Sequence, residues 1–346
     1  MVAVSPPAKV LITGANGYLA TWVVKMYLDA GYSVRGTVRS QSKSAFSKEK
    51  FAHYGDRLEL VTVKDITKDG AFDEVIGGVD VIVHMASPFH FKAATPDELI
   101  TPAVRGTTSI LSTALKQGST LKRFILTSSA VAILEFPWRQ RVFTEENWNS
   151  AALEAVKTKG PAAGPLNIYL ASKTLAERAA WEFVDVHKSE ISWDLVVLNP
   201  PYIFGPSLSA APTVDDINTS QREVYDTLVG VRTGKQLQTQ AHWVHVTVAA
   251  EAHVRAAHAV GAGGQRIIVR SASMYYQEIL DAAAELGIPN VPRGEPGSMK
   301  DVPYGSVLES TKAEELLGLT QVTPLKDVVA ESVEDFKARG YAGFAA

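Results

Sequence analysis

A tyrosine and a lysine lie four residues apart in the segment YLASK (169–173). At this spacing both side chains share one face of a helix. A nearby ammonium favours the phenolate and lowers the phenol's pKa from its usual value of about 10, which suits a general acid for carbonyl reduction. Tyr-x-x-x-Lys pairs also occur on ordinary helix surfaces, as a half-buried tyrosine with a solvated lysine. Other motifs in the sequence must therefore show whether this pair is catalytic.

A second candidate lies in LTSSA (126–130), at the end of a predicted strand. Reduction of a carbonyl needs hydride at carbon and a proton at oxygen. The Ser129 hydroxyl can hydrogen-bond the carbonyl oxygen and stabilise its developing charge. NPPYIFGP (199–206) ends the following strand, so we expect both segments and the Tyr169 helix to meet at one edge of a sheet.

A glycine turn, TGANGYLA (13–20), joins the first predicted strand to the first predicted helix. Gly14 permits a tight turn, Gly17 lets the backbone approach a pyrophosphate, and Ala20 is small enough for helix–strand packing. The free N–H groups and positive end of the helix favour phosphate. We therefore predict a dinucleotide site, with these turn residues in contact with the cofactor: Gly14, Asn16, Gly17, Tyr18 and Leu19.

The second predicted strand indicates which dinucleotide is bound. NAD sites place an acidic residue near the end of this strand, but no Asp or Glu occurs from Tyr32 to Lys48. Arg39 follows the strand and Lys43 comes one helical turn later. A guanidinium can hold a 2′-phosphate with two hydrogen bonds, so the pattern predicts NADP(H). We expect Arg35 to be a mid-strand residue and not a ligand.

Three more strand ends supply candidate cofactor residues, because ligands of such sheets bind at the carboxyl ends of strands. In KDIT (64–67) we expect Asp65 and the Ile66 backbone to meet an adenine edge. In MASP (85–88) Ala86 and Ser87 would lie beside the middle of the cofactor. Thr127, two residues before Ser129, is a further candidate.

The order of elements predicts an α/β fold. Apolar runs separated by helical patterns are typical of βαβ units with a parallel sheet covered on both faces. The predicted strands are 9–13, 32–39, 58–65, 79–86, 122–129 and 193–200. We expect a Rossmann-type, doubly wound parallel sheet in residues 1–200 and a smaller, mainly helical substrate-binding domain in 201–346, with some chain returning to the core.

Composition excludes several classes of protein. The 346 residues are 46% hydrophobic and 21% charged, with a net charge of −3, which does not favour a nucleic-acid partner. The absence of cysteine excludes disulfides and thiolate chemistry, and fits a reducing compartment. We expect no signal peptide, no membrane span and no metal site, and a cytoplasmic location.

At this point the chain resembles a known family. TGANGYLA, TSSA, YLASK and NPPYIFGP, in this order, resemble the extended short-chain dehydrogenase/reductases, and within them the dihydroflavonol-4-reductase-like group and the fungal NADPH-dependent aldehyde and ketone (methylglyoxal-type) reductases. Further similar pieces occur across residues 9 to 335. They are VRGTVRS (34–40), FTEENWN (143–149), SKTLAERAAWEF (172–183), INTS (217–220) and GQRIIV (264–269).

The resemblance implies a catalytic triad of Ser129, Tyr169 and Lys173, with Pro200 and Ile203 near the nicotinamide. It implies hydride transfer from NADPH to a ketone or aldehyde, giving an alcohol, in a monomer or homodimer. Two alternatives stay open. One is an NADP-dependent hydroxysteroid dehydrogenase or a sugar-nucleotide epimerase/dehydratase of the same fold, and the other is a non-catalytic NADP-sensing regulator.

Bulky side chains near these motifs predict a pocket for a bulky or aromatic carbonyl compound. The candidates are Phe89, Phe91, Ile133, Ile168, Tyr202 and Trp243. One departure from the family pattern occurs in HVTVAAEAH (245–253), where Val248 replaces the usual Asp. Loss of this Asp as a helix cap would cost about 1 kcal/mol of stability, and we expect Thr247 to cap the helix in its place.

Overall fold

The structure is a computed structural model that describes residues 4–43, 45–87, 95–136 and 140–344. Two of the expected pocket residues, Phe89 and Phe91, lie outside the described residues. The side chain of Lys43, expected to contact the cofactor, lies outside them as well.

Twelve strands occur in the described residues. They are β1 (Lys9–Ile12), β2 (Ser33–Val38), β3 (Leu58–Thr62), β4 (Val81–His84), β5 (Arg123–Thr127), β6 (Arg141–Phe143), β7 (Asp194–Asn199), β8 (Tyr202–Phe204), β9 (Gln240–His245), β10 (Arg266–Ile268), β11 (Ala272–Tyr275) and β12 (Ser306–Leu308).

Ten α-helices occur in the same residues, with short 3₁₀ turns between some of them. They are α1 (Tyr18–Asp29), α2 (Ala45–Lys50), α3 (Asp97–Gln117), α4 (Ser150–Lys159), α5 (Gly164–Val186), α6 (Thr219–Leu228), α7 (Val246–His258), α8 (Tyr276–Glu285), α9 (Thr311–Leu317) and α10 (Leu325–Ala338).

The central sheet has seven parallel strands in the order β10-β7-β5-β4-β1-β2-β3. All residues of β4 and β7 are buried, as continuous apolar runs predict for strands covered on both faces. The predicted Rossmann-type, doubly wound sheet is therefore confirmed. The chain order reverses between β1 and β4, which is where such sheets bind ligands.

The helix that carries YLASK begins five residues earlier than the segment itself. Helix α5 starts at Gly164, with proline in its first turn, and Tyr169 lies in its second turn. Proline suits this position because its missing N–H would have no partner there. Lys173 follows one turn later, so the helix geometry places both side chains on the same face.

The residues after 200 form a second apolar core and also return to the central sheet. Strands β8, β9 and β11 form a three-stranded sheet, and side chains from α6, α8 and α10 pack with it. Between these elements, α7 packs against α1, and β10 pairs in parallel with β7. The segment GQRIIV therefore supplies an edge strand of the central sheet.

The start of α7 differs from the expectation that Thr247 caps it. His245 is the N-cap residue, and its Nδ1 accepts a hydrogen bond from the Thr247 N–H. The His245 Nε2 atom lies 2.9 Å from a carboxylate oxygen of Glu331. Thr247 lies in the first turn of α7, where its N–H donates to the His245 side chain. Thr247 is therefore not the N-cap residue.

Candidate active site

The glycine turn has the shape that a phosphate group needs. Gly14 has a φ of +67°, and a Cβ atom there would lie 3.3 Å from the Cα of Ala86. Helix α1 starts after Gly17 with no side-chain cap and no acidic residue in its first turn. The first N–H groups of the helix therefore lack side-chain acceptors, which fits a bound pyrophosphate.

A threonine joins the two strand ends at this point of the sheet. The Thr13 hydroxyl accepts hydrogen bonds from the N–H groups of Met85 and Ala86, at 3.0 and 2.9 Å. It also lies 3.0 Å from His84 Nδ1, which must then accept its proton. Burial, together with the charge of Lys173, lowers the pKa of His84 to about 3. The neutral imidazole of His84 thus orients the Thr13 hydroxyl, which holds the backbone of Met85 and Ala86 beside the glycine turn.

The three predicted catalytic residues line one cavity of about 810 Å³, together with Gly14 and Gly17. Ser129 precedes a 3₁₀ turn, and its hydroxyl accepts a hydrogen bond from the Val131 N–H at 3.3 Å. The structure therefore brings the ends of β1 and β5 and the face of α5 to the same space, as the sequence predicted.

Burial acts on the tyrosine and the lysine in opposite directions. It lowers the pKa of Lys173 to about 8. It raises the pKa of Tyr169 well above its usual value, and the nearby Tyr202 raises it further. In the protein alone, burial therefore shifts the pKa of Tyr169 in the direction opposite to the one expected from Lys173. Tyr169 is a phenol at neutral pH, which is the form that donates a proton.

Most of the predicted cofactor residues line the cavity or lie beside it. Those that line it are Gly14, Gly17, Tyr18, Leu19, Ser87, Thr127, Tyr169, Lys173 and Ile203. Ala86 contacts the glycine turn, and the carbonyl oxygen of Pro200 accepts from the Ala130 N–H. Asn16 is half-buried in the turn. These positions agree with a cofactor that crosses the carboxyl edge of the sheet.

The adenine end of the predicted site lies farther along the sheet edge. Arg39 is exposed directly after β2. Arg35 is tied by Glu59 at 2.7 Å and by the Val75 carbonyl at 2.8 Å, so it is a structural strand residue as expected. Asp65 is exposed and accepts two hydrogen bonds from Thr67, which lower its pKa. Ile66 packs close to Gly106 on α3.

Three predicted substrate residues belong to apolar cores and do not line the cavity. Ile133 packs with Leu134 and Phe143, and Ile168 is buried inside α5. Trp243 stacks on Phe204, with ring centroids 6.1 Å apart. Apolar residues are equally suited to a core and to a pocket, so their types could not separate the two.

Tyr202 does line the cavity, together with residues that the sequence analysis did not predict as pocket residues. The additional apolar residues are Leu134, Phe136, Leu166 and Ile217. A polar group also faces the cavity: Arg232 pairs with Glu223 and lies 3.7 Å from the ring centroid of Tyr276. The INTS motif was the one available signal, since all four of its residues, 217–220, line the cavity.

His242 and His245 are held by hydroxyl groups and a carboxylate. His242 lies 2.8 Å from Ser273 Oγ and 3.1 Å from Ser306 Oγ. Within the described part of the chain, no three His, Cys, Asp or Glu side chains form a group that could hold a metal ion. Among the described helices, none has both the length and the apolar character needed to span a membrane.

The parallel sheet and its glycine turn define a Rossmann-type protein. A family model described as the NAD dependent epimerase/dehydratase family matches residues 10–269, and the chain belongs to this family, the extended short-chain dehydrogenase/reductases. The resemblance stated from the motifs is confirmed.

Named relatives cover nearly the whole chain. The ketoreductase azaE of Aspergillus niger is 34% identical over 90% of this chain and 93% of its own length. The NADPH-dependent methylglyoxal reductase GRE2 of Saccharomyces cerevisiae is 32% identical over 89% of this chain and 92% of its own. The crystal structure of the yeast methylglyoxal/isovaleraldehyde reductase Gre2 complexed with NADPH superposes with a TM-score of 0.86, at 31% identity, covering 96% of this chain and 99% of that one.

Proposed function

We propose that the protein is an NADPH-dependent carbonyl reductase that converts a ketone or aldehyde into a chiral alcohol. The observation that carries the proposal is the convergence of Ser129, Tyr169 and Lys173 on one cavity with the glycine turn. The relatives named above are described as ketone or aldehyde reductases, which supports the same chemistry. When bound, NADPH would supply the hydride.

Each residue of the triad has a defined task in this proposal. Ser129 would donate a hydrogen bond to the carbonyl oxygen and stabilise the negative charge that grows on it. Tyr169 would give its phenolic proton to that oxygen, since an alkoxide is a far stronger base than a phenolate. Lys173, charged below a pKa of about 8, would stabilise the phenolate left behind and hold the nicotinamide ribose.

The preference for NADPH is proposed from the second strand. Arg39 is exposed after β2, where a 2′-phosphate would lie, and no acidic residue follows that strand before Glu49. The yeast relative was crystallised with NADPH, which agrees with this assignment. The start of α1 after Gly17, with no side-chain cap and no acidic residue in its first turn, supports a cofactor whose pyrophosphate lies close to the backbone there.

The substrate side of the proposal is a bulky or aromatic carbonyl compound. The apolar residues Leu134, Phe136, Leu166 and Ile217 line the cavity with Tyr202. The proposal includes a division into two domains. Residues 1–200 would hold the cofactor, and residues 201–346 would mainly bind the substrate, with α7 and β10 returning to the core. Stereoselectivity, a cytoplasmic location and a monomer or homodimer complete the proposal.

The proposal is tested by following the loss of NADPH absorbance with aromatic ketones, β-keto esters and small aldehydes. We expect turnover with NADPH and little with NADH. Tyr169→Phe should lower kcat by about 10²- to 10⁴-fold, because the proton donor is lost. The dissociation constant for NADPH, measured by fluorescence without substrate, should change little. NADPH binding without oxidation on any carbonyl would contradict the proposed function.

A further inference from the structure

A buried carboxylate lies on the catalytic helix, one turn beyond Lys173. Tyr169, Lys173 and Glu177 follow one another at intervals of four residues on α5, so they share a face. Glu177 is 1% exposed. It does not line the cavity, and the reductase chemistry described above does not use it.

The carboxylate of Glu177 contacts the residues that hold Ser129. Its Oε2 accepts from the Ser128 hydroxyl at 2.5 Å and from the Asn199 side-chain amide at 2.8 Å. The same amide group donates to the Ser129 carbonyl oxygen at 3.1 Å. Glu177 is therefore linked directly to the Ser128 side chain and, through the Asn199 amide, to the Ser129 carbonyl group.

A buried arginine balances the charge of Glu177. Arg266 donates from Nε to Glu177 Oε1 at 2.5 Å, and from Nη1 to the carbonyl oxygen of Asn147 at 2.9 Å. Its guanidinium lies 3.7 Å from the ring centroid of Trp148. The FTEENWN motif (143–149) therefore surrounds Arg266, which gives this motif a physical role.

We propose that Glu177 is a positioning residue for proton transfer, which fixes Ser129 relative to Tyr169 and Lys173. This inference rests on the proposed reductase function. All three partners of its carboxylate are donors, so a neutral amide cannot replace it: its N–H₂ group would face a donor. Helix α5 carries both the proton donor Tyr169 and Glu177. The hydrogen bonds of Glu177 to Ser128 and Asn199 therefore set the distance between the Ser129 and Tyr169 hydroxyls.

A second buried ion pair in the same sheet provides a matched control. Arg123 and Asp194 form two hydrogen bonds, of 2.7 and 2.8 Å, at the amino ends of β5 and β7. Arg123 also donates to the carbonyl oxygens of Ala256 and Ala259, so this pair likewise joins the sheet to the returning segment. It lies at the opposite end of these strands from Ser129.

The test compares Glu177→Gln, Ser128→Ala and Asp194→Asn in the full-length protein. A displacement of a reacting group by about 1 Å can cost about 100-fold in rate. We therefore expect Glu177→Gln to lower kcat about 10- to 100-fold and Ser128→Ala about 3- to 10-fold. The Kd for NADPH should stay within about twofold. The isotope effect with 4-deuterated NADPH should rise in both variants, because hydride transfer becomes the slow step.

Asp194→Asn should lower the midpoint of thermal unfolding but leave kcat and the isotope effect unchanged below that temperature. If Glu177→Gln does not fold, Ser128→Ala decides the question. The positioning role would be overturned if Ser128→Ala kept the wild-type kcat and isotope effect. It would also be overturned if the loss of kcat only followed the fraction of unfolded protein. A wild-type protein without turnover on any carbonyl would contradict the reductase function itself, and the inference would fail with it.

Discussion

The hydroxyl of Thr127 and the imidazole of His253 form a 2.8 Å hydrogen bond between the end of β5 and the interior of α7. His253 Nδ1 lies 2.7 Å from the Ala249 carbonyl oxygen, so it carries the proton, and Nε2 must accept from Thr127. The Thr127 hydroxyl thus has only acceptor capacity left toward the cavity that it lines. A ligand group at this place must donate, as a carboxamide N–H or a ribose hydroxyl does.

The buried imidazole of His253 predicts acid sensitivity. Burial lowers the pKa of His253 to about 4, below the unfolded value of about 6.5, so the unfolded state binds the extra proton. This contribution is complete above about pH 6.5 and is lost as the pH falls toward 4. We expect His253 to account for about 2 kcal/mol of the loss in unfolding free energy between pH 7 and pH 5.

Urea unfolding at both pH values, in the wild type and His253→Gln, measures this contribution. The variant should be less stable at pH 7 but should lose less stability on acidification. An equal loss in both proteins would show that His253 does not titrate as a buried neutral group.

Lys173 predicts the alkaline limb of the pH–rate profile. Its pKa is lowered to about 8 by burial, so the ammonium is present below that pH and is lost above it. We expect kcat/KM for the carbonyl substrate to fall about tenfold per pH unit above 8. Lys173→Arg should be slower but flat between pH 7.5 and 9.5, since a guanidinium does not deprotonate there. The same alkaline fall in Lys173→Arg would assign it to another group.

Arg39 predicts the choice between the two nicotinamide cofactors. Arg39→Gln removes a charge-assisted hydrogen bond to the 2′-phosphate and should raise the Kd for NADPH about 10-fold. The Kd for NADH should be unchanged. Arg35→Gln, in β2 four residues before Arg39, is the control, because Arg35 is already paired with Glu59. Equal effects of Arg39→Gln on both cofactors would contradict the phosphate role.

Val248 predicts a stabilising substitution. It is the third residue of α7, and it lines a small cavity of about 140 Å³ together with Arg270. Among the described residues, the buried Nε of Arg270 has no hydrogen-bond partner. Val248→Asp would place a carboxylate near this cation and the free N–H groups of the helix. We expect the unfolding free energy to rise by about 1 kcal/mol.

The asparagine side chain has nearly the shape of aspartate but no charge. Val248→Asn should therefore raise the unfolding free energy, measured with denaturant, by less than Val248→Asp does. Lower stability of the aspartate variant than of the wild type would mean that the carboxylate is buried without reaching Arg270.

The sequence predicted those features that depend on local pattern. Continuous apolar runs marked the strands of the central sheet up to β7, and their ends placed Ser129 and Tyr169 at one edge. It could not separate Trp243, which is a core residue, from Tyr202, which faces the cavity. Both are aromatic residues of paired strands, β8 and β9.

Features that combine distant segments were not predictable in this way. Glu223, Arg232 and Tyr276 come together from α6, the segment after it and α8. The tie between Glu177 and Ser128 spans 49 residues, and that between Glu177 and Arg266 spans 89. Pairings of this kind depend on sheet order and helix packing, which composition and periodicity do not encode.

The parallel pairing of β10 with β7 limits how the chain can be divided. A fragment ending near residue 200 would contain the motifs for cofactor and catalysis, but it would lack the strand that covers one edge of β7. The fully apolar interior of β7 would then border a row of unpaired backbone groups, which is a template for aggregation. We therefore expect the segments before and after residue 200 to fold as one cooperative unit, so that expression of either segment alone yields insoluble material.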